Sequence, residues 1–134
     1  MMNDPLTTVP GTTDVASAVA ALSDALSRRG IPLFAVIDHA ENARAIHLDM
    51  NDETVVIFGN PAVGTPLMQA DPRVGIDLPL RMLIWRDEAG TAQIGYEDPH
   101  RLAAKFDVAS DAPQLDGMAA LLATLAADAA APVR

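Results

Sequence analysis

The sequence predicts an α+β domain in which helices lie on one face of a largely antiparallel sheet. Three observations predict it. Thr54 to Phe58 is a β-branched, apolar strand that runs straight into the constrained loop Gly59-Asn60-Pro61. Leu80 to Trp85 and Thr91 to Tyr96 read as strands joined by the hairpin turn Asp87-Glu88-Ala89-Gly90. Helical periodicity marks both ends of the chain, in Val15, Val19, Leu22 and Leu26 and again in Met118, Leu121, Leu122 and Leu125.

The elements follow in order. Residues 5–11 can form a first strand or extended arm. Asp14 to Arg29 is a helix, capped by Thr13 or Asp14. Arg28 and Arg29 suit the negative end of its dipole, and Gly30 suits the left-handed residue just beyond. Leu33 to Ile37 is a compact apolar run and reads as an inner strand. Asp38 can cap a short helix, with Glu41 completing a capping box and Ala43, Ile46 and Leu48 facing inward. Asn51-Asp52-Glu53 is a turn.

Asn60-Pro61 and Thr65-Pro66 are both helix-start signals, and a proline inside a helix removes a hydrogen bond, so the first turn of this helix should be irregular. The helix should end near Ala70, before Asp71-Pro72. Asp98-Pro99 caps a short helix that runs to about Lys105. Residues 107–116 read as a linker, and the last helix starts at about Asp116. No internal repeat is visible. The 134 residues fit one domain, 1–134, with 1–4 and 131–134 expected to fray.

Composition narrows the function classes. Half the residues are hydrophobic and a fifth are charged, an ordinary globular balance. With no cysteine, a disulfide, a thiolate metal site and a thiol nucleophile are all excluded. A net charge of −9, with Arg28-Arg29 as the only adjacent basic pair, argues against nucleic acid. The N-terminus lacks the basic and apolar regions of a signal peptide, and no apolar stretch approaches the roughly 20 residues of a membrane span. A cytoplasmic protein without a membrane partner is expected.

Phe34-Ala35-Val36-Ile37-Asp38-His39-Ala40, Ile57-Phe58-Gly59-Asn60-Pro61, Gly64-Thr65-Pro66-Leu67-Met68, Gly75-Ile76-Asp77-Leu78-Pro79-Leu80, and Tyr96 with Asp98-Pro99, fall in the order seen in a known family. On these motifs the chain resembles the bacterial and archaeal domain of unknown function 302. The resemblance implies a topology like that of the TATA-binding protein: strand, helix, four-stranded antiparallel meander and terminal helix, with short inserted helices. It also implies a compact domain, often dimeric, and brings no settled activity. Ala45-Ile46-His47 departs from the Gly-Leu pair more typical of that turn. Fold carries no function by itself, and the charge here is wrong for DNA.

The candidate site residues are Asp38, His39, Gly59, Asn60, Gly64, Thr65 and Asp77. The Gly59–Thr65 loop can offer amides to an anion at a helix N-terminus, although it lacks the Gly-Lys-Ser/Thr ending of a phosphate loop. The competing explanation is that Gly59 and Gly64 permit tight turns at positive φ while Asn60 caps a helix. Asp38 can orient His39 for acid–base work, or it can cap a helix beside a structurally bonded His39. Asp77 can meet the loop amides or a polar ligand. His39, His47 and Asp77 could form a metal site only without a zinc-like spacing, so no metal is assigned. His100 reads as exposed, Trp85 and Tyr96 as core or interface, and Met50 and Met68 as packing.

Three functions follow, and no motif names a cofactor. The first is a homodimeric module that binds a small polar or anionic ligand near Gly59–Thr65. The second is an acid–base enzyme using His39 with Asp38 or Asp77. The third is an interaction protein without a ligand site. A dimer is expected because the helices cover one sheet face, leaving a further apolar surface from Leu80, Met82 and Ile84 or their alternates.

Overall fold

The structure, a computed structural model, describes residues 4–131. The fraying expected at 1–3 and 132–134 lies outside the described residues. In chain order the elements are β1 (Thr7–Pro10), α1 (Val15–Arg28), β2 (Leu33–Asp38), α2 (His39–Ala45), β3 (Glu53–Phe58), α3 (Pro61–Ala70), a 3-10 turn (Pro72–Ile76), β4 (Leu80–Arg86), β5 (Ala92–Tyr96), α4 (Arg101–Lys105) and α5 (Pro113–Ala130). The strands form one sheet in the order β1-β5-β4-β3-β2, and every pairing is antiparallel. The α+β architecture predicted from sequence is therefore present.

Strand periodicity sorts the side chains between two faces. Val56, Phe58, Met82, Ile84 and Ile94 point to one face and are fully buried under α1 and α5. Leu22 and Leu26 of α1 meet Leu122 and Leu125 of α5 there, and Ala18, Ala25, Ala126 and Ala129 let the two helices come close. Met82 and Ile84 thus belong to the core and not to a free apolar surface. Their alternates Leu83 and Trp85 lie on the opposite face, with Val55 and Ile57 beside them, and all four are half-buried. Trp85 folds down over Gly95, where a Cβ would lie 2.9 Å from its ring.

Several local expectations hold. Asp14 caps α1 by accepting from Ser17 N at 2.7 Å. Gly30 adopts φ 65° just past the helix. Asn60 caps α3, which ends at Ala70 as expected.

Other expectations do not. β2 is an edge strand, not an inner one, because an apolar run reports what its side chains meet and not whether both of its backbone edges are paired. Ile46 and Leu48 are exposed, since His47 turns the chain through the left-handed region at φ 63° and carries them away from the sheet. The capping box at α2 is half formed. Asp38 accepts from Glu41 N at 2.9 Å, while the Glu41 carboxylate pairs with Arg44 instead of reaching back. α3 runs unbroken from Pro61 with Pro66 inside it. α5 begins at Pro113, ahead of Asp116, with the proline in the first turn, where its missing N–H costs nothing. Positive φ is found at Gly30 and Gly90, not at Gly59 or Gly64.

A cavity between the loop after β3 and the last helix

A second, smaller core sits beside the main one, built from Leu67, Val74, Leu102, Val108, Leu115 and Met118. Between the two cores opens a cavity of about 580 Å³. One wall is the Gly59–Thr65 segment with Met68 of α3. A second is Leu78-Pro79-Leu80, which enters β4 through a cis Leu78–Pro79 bond. The third is the first two turns of α5, which contribute Gln114, Gly117, Met118 and Leu121, and Phe34 of β2 stands at the edge. No charged residue lines it among the described residues.

Glycine at 59 and 64 serves close approach. A Cβ at Gly59 would lie 3.3 Å from Pro79 Cβ, and one at Gly64 would lie 3.4 Å from Leu78 Cδ1. Gly117 is different, because a Cβ there would meet nothing within 4 Å. Glycine inside a helix costs roughly 0.5–1 kcal/mol relative to alanine. No neighbour demands that sacrifice, and the position borders the cavity with open space around it.

The start of α3 is not an anion cradle. Pro61 has no N–H. Asn60 Oδ1 accepts from Ala62 N at 2.9 Å, and the Asn60 carbonyl accepts from Val63 N at 2.9 Å and Gly64 N at 3.1 Å. The amides that an anion needs are already bonded.

The structure brings four of the seven sequence candidates to the cavity, Gly59, Asn60, Gly64 and Thr65, and leaves three outside. Asp38 is occupied as the cap of α2. His39 is half-buried at the start of that helix, and no hydrogen bond joins it to Asp38 or Asp77. Asp77 pairs with Lys105 and lies 4.0 Å from Arg81, and it does not line the cavity. Among the described residues no three His, Asp or Glu side chains gather to hold a metal, so His39, His47 and Asp77 are not brought together.

Sequence reasoning missed the α5 wall. Gln114, Gly117, Met118 and Leu121 follow the i, i+3, i+4, i+7 spacing of one helical stripe, and Pro113 was the signal for where that helix begins. It also missed Asp71, a buried carboxylate. Asp71 accepts from Arg73 Nε at 3.0 Å, Arg73 Nη2 at 2.8 Å, Arg73 N at 3.0 Å and Asp107 N at 2.9 Å. The Arg73 guanidinium first, and the Asp107 amide next, hold this carboxyl far below the usual range. The bonds tie the end of α3 and the 3-10 turn to the loop after α4. His100 is half-exposed but not free: Nδ1 lies 2.8 Å from Asp98 Oδ1 and Nε2 lies 2.7 Å from Asp116 Oδ1, joining α4 to the first turn of α5.

Fold and cavity together define a small α+β domain with a neutral, apolar hollow at the junction of its two cores. The chain belongs to the family described as Domain of unknown function DUF302, which matches residues 7–129. It is similar to the crystal structure of an uncharacterized conserved DUF302 protein from Bacillus stearothermophilus, with a TM-score of 0.83 at 18% identity, covering 95% of this chain and 99% of that one. It is also 32% identical over 108 residues to fluoride-specific ion channel FluC 1 of Brucella suis, a match covering 81% of this chain and 42% of that protein. FluC 2 of Brucella melitensis matches at the same identity, over 40% of its length. The chain thus spans about two fifths of the length of these relatives. No helix among the described residues is long and apolar enough to cross a membrane.

Proposed function

We propose that this domain is a binding module for a compact, largely apolar small molecule seated between α3 and α5. The observation that carries the proposal is a cavity of about 580 Å³ with a largely apolar lining that includes a glycine packing does not require. Its size lies within the range of small-molecule sites. The uncharged lining and the bonded amides of α3 speak against the polar or anionic ligand expected from the loop sequence, and the engagement of Asp38 as a helix cap and of Asp77 with Lys105 speaks against an acid–base centre there. The resemblance to part of two fluoride channels supports a module that can accompany a larger protein. A small hydrated anion does not suit this lining, so the cavity is read as a site for an apolar molecule and not for fluoride.

The test is Nile red, a neutral apolar dye whose fluorescence rises on burial. Wild-type protein should bind it, and Gly117→Phe, which places a ring in the open space, should lose most of the signal while remaining folded. Equal binding by the two proteins would overturn the proposal.

The exposed edge of the sheet favours self-association as a second property. Leu33, Phe34 and Val36 of β2 are 44%, 55% and 46% exposed. A strand edge with apolar side chains and free backbone groups is a template for a second strand. We propose that two copies pair here, at the edge strand and not through Met82 and Ile84. Sedimentation at about tens of micromolar, a concentration matched to ordinary dimer affinities, should show a dimer for the wild type and a monomer for Val36→Lys. A wild-type monomer would end this reading.

A further inference from the structure

We infer that the cavity's ligand carries an uncharged head group with a hydrogen-bond acceptor, a neutral carbonyl such as an amide, ester or lactone, on an apolar body. The inference rests on the cavity being a ligand site and names the class of ligand. Three residues with neutral polar side chains are among those lining the cavity: Asn60, Thr65 and Gln114. Asn60 is oriented by its own capping bond. Its Oδ1 must face Ala62 N, because a –NH₂ group cannot accept. That leaves Nδ2 as the donor Asn60 can give to a ligand, and a donor calls for an acceptor opposite it.

A carboxylate head would find no counter-charge, since no lysine, arginine or histidine lines the cavity among the described residues. The first amides of α3 are already bonded to Asn60, and the chain carries a net charge of −9. Burying an unpaired carboxylate against apolar walls is strongly unfavourable. An ammonium head meets the same obstacle, for no Asp or Glu lines the cavity. The apolar part is received by Met68, Leu78, Leu80, Met118 and Leu121, a wall that asks for carbon and not for a particular shape.

The experiment uses octanamide and octanoate at pH 7.5, which share a chain and differ in head charge, with methionine methyl groups labelled for NMR. Met68 and Met118 line the cavity and Met50 does not, so site binding moves the first two resonances and leaves the third. Octanamide should bind at least about tenfold more tightly than octanoate. Asn60→Asp keeps a side-chain cap of equal quality but replaces the donor with a charge, and it should weaken octanamide by about three- to tenfold or more. Octanoate binding as tightly as octanamide, or Asn60→Asp binding octanamide like the wild type, overturns the inference while Nile red binding stands. If neither probe moves Met68 or Met118 and Nile red also fails to bind, the binding-module proposal falls with it.

Discussion

Leu78 and Leu80 each wall two hollows of opposite character. On one side is the uncharged cavity of about 580 Å³, and on the other a cleft of about 40 Å³ that gathers Asp77, Arg81, Glu97, Arg101 and Lys105. In the cleft the charges consume one another. Lys105 pairs with Asp77, Arg81 with Glu97 at 3.4 Å, and Arg101 donates to the Pro5 carbonyl at 2.8 Å. Long polar side chains reach across and close the space. The opposite hollow has no charged residue in its lining among the described residues, and its space is the larger of the two. The run Asp77-Leu78-Pro79-Leu80-Arg81 supplies both sides. The difference teaches that reactive groups gathered in a folded chain have usually satisfied each other, so their clustering alone does not mark a site.

Removing the shared wall should have the largest effect. Leu80 packs against both cores, and Leu80→Ala should cost about 2 kcal/mol, at the low end for a leucine because the residue is only half-buried. Urea unfolding measures it, and a loss under about 0.5 kcal/mol would show that the two hollows do not depend on a common partition. Next comes Gly117→Phe, which fills one hollow and leaves the other alone. Its unfolding free energy should stay level or rise by up to about 1 kcal/mol, since a helical glycine is replaced. A clear fall would mean that Gly117 is there for packing and not for space.

On the charged side, Lys105→Met removes the partner of Asp77 at a half-exposed position. Such pairs contribute little, so a stability change within about 1 kcal/mol is expected, with Nile red binding unaltered. A larger loss, or altered dye binding, would couple the cleft to the cavity. The smallest effect is a pH dependence. Asp98 first and Asp116 next raise the pKa of His100 above its ordinary 6.5. The folded value is the higher one, so this group's stabilising contribution is complete below the unfolded value. It is lost as pH rises through the folded value. NMR titration of the imidazole should place its midpoint above 6.5, and the melting difference between wild type and His100→Gln should shrink as the solution becomes alkaline. A midpoint at or below the ordinary value would remove the clip between α4 and α5.

Much of the fold was legible because its signals are local. Asp14, Asp38 and Asn60 each accept from an amide two or three residues on, and Gly30 turns the chain just past α1. The alternation in Glu53–Phe58 needs only the period of a strand. The candidate site was half legible. The Gly59–Thr65 loop was singled out for its constrained backbone, and it does wall the cavity. Its expected partners, Asp38, His39 and Asp77, stand out in sequence for reactivity, but in the structure Asp38 caps α2, His39 begins that helix and Asp77 pairs with Lys105, all three outside the cavity. Gln114 has no local signal once Pro113 reads as linker and not as a helix start, and the periodicity that places Met118 on a helix face does not say that it borders a cavity.

By itself the sequence determined the α+β class, the helices at its two ends, the meander strands and the constrained loop after β3. Those features depend on residue periodicity and on bonds between near neighbours, which a chain carries wherever it is placed. Only the tertiary structure decided that β2 lies at the sheet edge, that Met82 and Ile84 face the helices while Leu83 and Trp85 do not, and that α5 stands opposite α3 across an uncharged space. The identity of a strand's neighbour, and the emptiness between two helices, arise from contacts between residues far apart in sequence. Such contacts leave no local pattern for a single sequence to show.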